Sequence, residues 1–189
     1  KSYKKDRGGI SLKIKTQIQV FNKEGLNCSE LVLPAKQDKI SLVLYRLPFC
    51  NMSPVWKYHE EFDNADYIYM RRPYVMTYYM RKVLKKIRKV NPQVKIVIEL
   101  PTYPYDEEYK KSIFWQALML NDKYNRVRMK GLIDYFAILT DEKEVFGIPT
   151  IKIKNGIDVA KIKQKKYVAF PDGTIHMCAV AMFKHWHGY

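Results

Sequence analysis

The chain has 189 residues, 47% hydrophobic and 28% charged, with 34 Lys and Arg against 19 Asp and Glu for a net charge of +15. That length suits one well-filled core and is short for two full domains. No run of about 18 apolar residues is present to cross a bilayer, and the first residues lack the apolar core of a secretion signal, so a cytoplasmic location is expected.

Taken in chain order, Leu12, Ile14, Ile18 and Phe21 approximate one helical stripe, which predicts a helix over 11–22 with Gly25 as its stop. Residues 26–33 and 39–47 are short apolar runs separated by a polar stretch containing a proline, which suits two strands. The stretch 48–64, with two prolines, Trp56 and His59, reads as irregular with one helical turn, and 66–70 as a further strand. Pro73 stands where a proline opens a helix. Met76, Met80, Val83, Leu84 and Ile87 then form an apolar face ending near Asn91 and Pro92.

Residues 95–100 are nearly all apolar, the pattern of a strand buried on both faces of a parallel sheet. Helix is expected over 107–130, and strands over 132–139 and 150–154. Strands and helices alternate, so the fold class is α/β, with a mostly parallel sheet and helices on both faces. The run from Phe146 to Asp158 breaks from β-type sequence into Asn155-Gly156, a pair that tolerates positive φ and makes turns, followed by Ile157 and the acid Asp158. After it come a basic run over 161–166 and a fresh apolar strand over 174–182.

Three segments carry chemistry. Gly8 and Gly9 directly precede the first helix, where freed backbone N–H groups and the helix N-terminus favour an anion; the alternative is an ordinary flexible loop. Arg71 and Arg72 end a predicted strand at the carboxyl edge of the sheet, where open α/β folds bind ligands, and suit a phosphate; the alternative is a pair of solvated arginines. Glu99 lies at the end of a buried strand and leads into Thr102, Tyr103, Pro104, Tyr105 and Asp106, an aromatic loop stiffened by proline that suits a sugar face. Glu99 is equally readable as a structural carboxylate.

Arg81, Lys82, Lys85, Lys86, Arg88 and Lys89 occupy the polar side of the strongest helix, as a solvated face or as a surface for anionic lipid. Cys28, Cys50 and Cys178 are widely spaced, which argues for reduced thiols rather than a disulfide framework. His176, His185 and His187 lack acidic or cysteine partners at ligand spacing, so no metal site is expected.

In this order the diglycine, the arginine pair, the tyrosine-proline loop and the strand into Asn-Gly-Ile-Asp resemble the N-terminal domain of retaining, family-4-type GT-B glycosyltransferases, across nearly the whole chain. The resemblance implies a Rossmann-like acceptor-side domain over 1–158, whose first strand is missing before the diglycine. It implies a linker and the start of a truncated second domain over 159–189, with Asn155, Gly156 and Asp158 at the interdomain cleft. Donor phosphate and acceptor would meet Gly8, Gly9, Arg71, Arg72, Thr102, Tyr103, Tyr105 and Asp106. Many relatives place a histidine in the aromatic loop; here Glu99 or Asp106 would fill that role, Glu99 being the catalytic candidate.

The implied activity is transfer of a sugar from a nucleotide-diphosphate donor to a glycan or polyprenyl-linked acceptor with retention. No cofactor or metal is implied, and the protein is expected at the inner face of the membrane. The resemblance assigns the donor-binding glutamates to the second domain, so the chain alone is expected to be inactive. The alternative from a different class is a basic, tyrosine-rich α/β module for RNA or single-stranded DNA. The spread of the basic residues and the lack of an RNP or KH signature weigh against it, so no nucleic-acid partner is expected.

Overall fold

The structure, a computed structural model, describes residues 9–31, 58–73, 75–106 and 112–156. The chain divides into two compact units, one of Lys1–Val32 with Gly156–Met177, the other of Leu33–Asn155 with Cys178–Tyr189. One boundary thus falls between Asn155 and Gly156.

In the first unit, helix α1 covers Gly9–Lys23, so Gly9 is its first helical residue rather than part of a preceding loop. Gly25, at φ 88°, ends it. The bonds from Leu26 N–H to the Phe21 carbonyl and from Gly25 N–H to the Asn22 carbonyl close the helix in the six-to-one and five-to-two pattern that a left-handed residue permits. The strand expected from residue 26 is not formed over 26–31. Asn22 instead ties that stretch back to the helix, its side chain accepting from Cys28 N–H at 2.7 Å and donating to the Cys28 carbonyl at 3.1 Å.

The second unit contains a five-stranded sheet in the order β1-β2-β3-β5-β4: β1 Tyr67–Arg71, β2 Lys95–Leu100, β3 Tyr135–Ile138, β4 Glu144–Val145 and β5 Ile148–Lys152. The pairs β1–β2, β2–β3 and β3–β5 are parallel, and β4 is antiparallel to β5. Helix α2 (Tyr78–Val90) connects β1 to β2, and α3 (Ile113–Arg126) connects β2 to β3. The α/β class and the mostly parallel sheet follow the sequence.

The expected placement of helices on both faces does not hold for these two. Arg81 of α2 donates to the Asn125 side chain of α3 at 3.2 Å, so the helices lie side by side. Right-handed crossovers between strands laid down in one direction put their helices on one face.

Helix α2 begins at Thr77, whose hydroxyl accepts from Met80 N–H at 3.2 Å, and not at Pro73. A capping hydroxyl satisfies an orphan donor, which proline at the first position cannot do. Met80, Val83, Leu84 and Ile87 are all buried, each contributing about 1.5–3 kcal/mol by transfer from water. At the other end Asn91 N–H bonds the Ile87 carbonyl, and the Asn91 side chain donates to the Phe62 and Ala65 carbonyls of a 3-10 turn over Glu60–Asn64. That turn is the single helical turn expected before β1.

The strand expected over 132–139 narrows to β3. Its approach is clamped by Arg88, which donates to the Leu132 and Val94 carbonyls and pairs with Asp134, while Asp134 accepts from Ile96 N–H at 2.7 Å. The helix expected over 107–130 is described as α3, with 127–128 in a turn and 107–111 outside the described residues. Also outside them are the strands at 32–33, 39–47 and 174–182, the basic run at 161–166, Gly8, Cys50, Asp158, Cys178 and the three C-terminal histidines.

Neither Asn155 nor Gly156 takes a positive φ, and the residues that follow them lie outside the described ones. The tight turn lies between β4 and β5, where Phe146 at φ 53° and Gly147 at φ 77° form a two-residue loop of the kind whose twist suits antiparallel strands. Phe146 accepts that conformation because its ring packs edge-on against Tyr103, Tyr105 and Phe136, at centroid distances of 5.9, 6.4 and 6.1 Å.

Candidate functional site

The sheet's period of two decides where the predicted residues point. Arg71 pairs in register with Glu99, so both side chains project from the same face. Ile68, Ile96, Ile98, Leu100, Phe136 and Ile138 occupy the other face and form the core with α2 and α3. Glu99 is 2% exposed and accepts from the Tyr69 hydroxyl at 2.8 Å and from Arg71 at 3.4 Å. It therefore stands as a held, ion-paired carboxylate on the sheet face away from α2 and α3.

Arg72, one residue on, turns to the opposite side. Its guanidinium stacks on the Tyr105 ring, 3.8 Å from the centroid. The two arginines thus diverge and do not form a single phosphate clamp. Arg72 belongs with the tyrosine loop and Arg71 with Glu99.

Around Arg72 the segments leaving the carboxyl ends of β1 and β2 converge on the C-terminal half of α3. Tyr105, 1% exposed, donates its hydroxyl to Asp122 at 2.8 Å. The other oxygen of Asp122 accepts from Met76 N–H at 2.7 Å. Arg126 embraces Asp106 with both terminal nitrogens, one at 3.2 Å, and reaches Asp122 at 3.5 Å. Lys123 adds a second cation to Asp106 at 3.0 Å. The Arg126 guanidinium also lies over Phe146, 4.5 Å from the ring centroid. Thr102 is exposed on the rim, Tyr103 is half-buried with its ring edge-on to Phe146, and the Tyr103-Pro104 peptide is cis.

The electrostatics follow from these contacts. Asp106 is held below the usual carboxylate range by its hydrogen bond from Arg126 and by Lys123, against the opposing effect of burial. It stays ionised and is a weak base. Burial pushes Asp122 above its ordinary value, opposed by the Met76 N–H, by Tyr105 and by the charges of Arg72 and Arg126. Burial together with the Asp122 charge pushes the Tyr105 phenol up, so it remains a donor.

Asp122 and Arg126 are the members that sequence reasoning missed. Their signal is a break in patterning: Trp115 and Leu118 mark the inward stripe of α3, continued by Met129 just past its end, and Asn121, Asp122, Asn125 and Arg126 are buried beside them, polar where a core helix is apolar. Buried polar groups on such a stripe need partners: Asp122 and Arg126 find them in the two loops, and Asn125 in Asn121 and Arg81 of α2.

Gly9 lies in the other unit, at the start of α1, with Gly8 outside the described residues, and Asn155 and Gly156 are exposed. An open depression of about 460 Å³ lies at the opposite, amino edge of β1 and β2, lined by residues including Asp66, Asn91 and Lys95. Asn91 is there engaged in tying α2 to the 3-10 turn, and none of the predicted site residues lines it.

Among the described residues no group of three potential metal ligands comes together, and no helix is long and apolar enough to cross a membrane. No family model, curated protein or solved structure matches the chain.

Proposed function

We propose that this chain is the acceptor-side, Rossmann-like part of a retaining GT-B glycosyltransferase, which moves a sugar from a nucleotide-diphosphate donor to a glycan or polyprenyl-linked acceptor. The observation that carries the reading is the convergence of Arg72, Tyr105 and Asp106, from two loops beyond the carboxyl ends of adjacent parallel strands, into one cluster of cations and tyrosines. Ligands of open α/β sheets bind beyond that edge. The half-buried Tyr103 offers ring surface and a hydroxyl to a sugar, the buried Tyr105 props Arg72, and arginine matches the oxygens of a phosphate.

In such a reaction the acceptor hydroxyl attacks the face from which the diphosphate departs. Fixed positive charge near the departing group lowers the barrier without a covalent enzyme intermediate. Asp106, ion-paired to Arg126 and Lys123, serves here to orient those cations rather than to take a proton. The exposed Lys82, Lys85 and Lys89 of α2 support an anionic membrane surface as the place where a lipid-linked acceptor is met. Arg81 and Arg88 are engaged with Asn125 and Asp134.

A second reading has its own observation. Tyr67, Tyr69 and Tyr135 are exposed at 69%, 39% and 39% on the sheet face away from α2 and α3, which favours base stacking by a single strand. Titrating the chain with a polyprenyl-diphosphate-linked oligosaccharide and, separately, with a single-stranded oligonucleotide decides between them. The glycosyl reading expects saccharide binding that is lost in Arg72→Ala and Tyr105→Leu. It is overturned by oligonucleotide binding that falls steeply with salt, survives both substitutions and has no saccharide counterpart.

A further inference from the structure

We propose that Asp122 is a positioning residue: by bonding the loop after β1 and the loop after β2 at once, it holds Arg72 and Tyr105 as one rigid unit that faces a diphosphate group. The identity of that group rests on the glycosyl-transfer reading; the lock itself rests on geometry alone. Asp122 is 0% exposed, and its two oxygens are divided between the loops. Oδ1 accepts from Met76 N–H at 2.7 Å, fixing the chain between Pro73 and the cap of α2. Oδ2 accepts from the Tyr105 hydroxyl at 2.8 Å, fixing the ring on which the Arg72 guanidinium stacks at 3.8 Å.

The two loops leave neighbouring strands, and the Arg72 N–H bond to the Glu99 carbonyl, at 2.8 Å, extends the strand pairing by one residue. Beyond that point it is Asp122, from a helix that follows both loops in the chain, that bonds to each of them. A buried carboxylate with both oxygens engaged resists reorientation, because releasing either bond strands a donor away from water. Met76 is 0% exposed and Tyr105 1%, so neither donor has solvent to turn to. The Asn125 side chain of the same helix continues the support by accepting from Arg81 one turn into α2 and donating to Asn121.

Such a lock contributes preorganisation, since a cationic group held in its binding pose loses less freedom when the anion arrives. The diphosphate has two sources, the nucleotide donor and the lipid-linked acceptor. The chemistry that Arg72 meets is common to both.

The test uses the full chain and the variants Asp122→Ala, Asp122→Asn, Tyr105→Phe and Arg72→Ala, with two measurements: amide hydrogen exchange at Met76 and over 101–106, and affinity for inorganic pyrophosphate, uridine diphosphate and farnesyl diphosphate. The expected result for Asp122→Ala is faster exchange in both loops and about tenfold weaker probe binding. Asp122→Asn restores most of both, because the amide oxygen still accepts from Met76 and the amide nitrogen can donate to the Tyr105 hydroxyl. Tyr105→Phe loosens 101–106 only. Arg72→Ala loses the probe with Met76 exchange unchanged. A preference for uridine diphosphate assigns the site to the donor, and a preference for farnesyl diphosphate assigns it to the acceptor.

In Asp122→Ala, faster exchange confined to one loop overturns the lock, as does loosening of both loops with affinity unchanged. If the wild-type chain binds none of the probes, the functional reading and the role given to Arg72 fall together, while the exchange results still uphold or overturn the lock. Should Asp122→Ala fail to fold, Tyr105→Phe still tests one arm of the lock: exchange over 101–106 left unchanged in that variant overturns it.

Discussion

Removing the Glu99 carboxylate separates a structural role from a catalytic one. Glu99 is 2% exposed and bonded to the Tyr69 hydroxyl at 2.8 Å, with Arg71 at 3.4 Å. A hydrogen bond to a charged acceptor is worth about 1.5–3 kcal/mol. The Arg71 pair adds at most about 0.5 kcal/mol, because that side chain is 30% exposed and screened by water. Neither of its two described donors is orphaned by truncation, since Tyr69 and Arg71 both reach solvent, and the change recovers part of the cost of burying the charge. Glu99→Ala is therefore expected to cost about 2–3 kcal/mol, roughly 4–12 °C in melting temperature for a chain of this size. Glu99→Gln keeps the shape and both contacts in neutral form, at a cost of about 1 kcal/mol. Urea unfolding followed by circular dichroism, at fixed slope, measures both. A Glu99→Ala midpoint indistinguishable from wild type would refute the argument, because a carboxylate that can be deleted without loss is not held by these partners and is available as a base.

Thr77→Ala removes the hydroxyl that caps α2 and is expected to cost about 1 kcal/mol in the same assay, with Thr77→Ser close to wild type. Leu84→Ala opens a hole in a buried stripe and is expected to cost about 2–5 kcal/mol. Asp134 is held below 3.8 by Ile96 N–H and Arg88 against burial, and Asp106 is held low by Arg126. Both therefore contribute stability that is complete above 3.8 and drains as pH falls through their folded values. Asp122 has the opposite sign: its raised pKa makes the charged form a cost above 3.8, and that cost disappears on acidification. Unfolding midpoints taken from about pH 6 down to about pH 2 should fall in the wild type, fall less in Asp134→Asn, and fall more in Asp122→Asn, where the compensating term is gone.

Local pattern alone was enough for the elements whose burial follows from periodicity. The inward face of α2 is the stripe at Met80, Val83, Leu84 and Ile87, and β2 covers residues 95–100 as its composition implies. Turn and cap chemistry was less legible. Pro73 reads as a helix start, yet the helix waits for Thr77 while Met76 N–H is held by Asp122; the turn at Phe146-Gly147 carries no turn-former at its first position. Phenylalanine takes that left-handed conformation only because three aromatic rings receive its side chain, a reason that does not exist in the local sequence.

For the candidate site, the sequence by itself determined which loops carry arginine, tyrosine and acid, because alternation of strands and helices puts Arg72 and residues 101–106 just past the ends of parallel strands. Tertiary structure decided the rest. The pleat sends Arg71 to Glu99 and Arg72 to Tyr105, and register with a neighbouring strand is not written in either segment alone. Asp122 and Arg126 joined the cluster through contacts 46 and 20 residues away in the chain. Hydrogen bonds and ion pairs between such distant positions depend on three-dimensional closeness, and only the packed sheet and helices supply it.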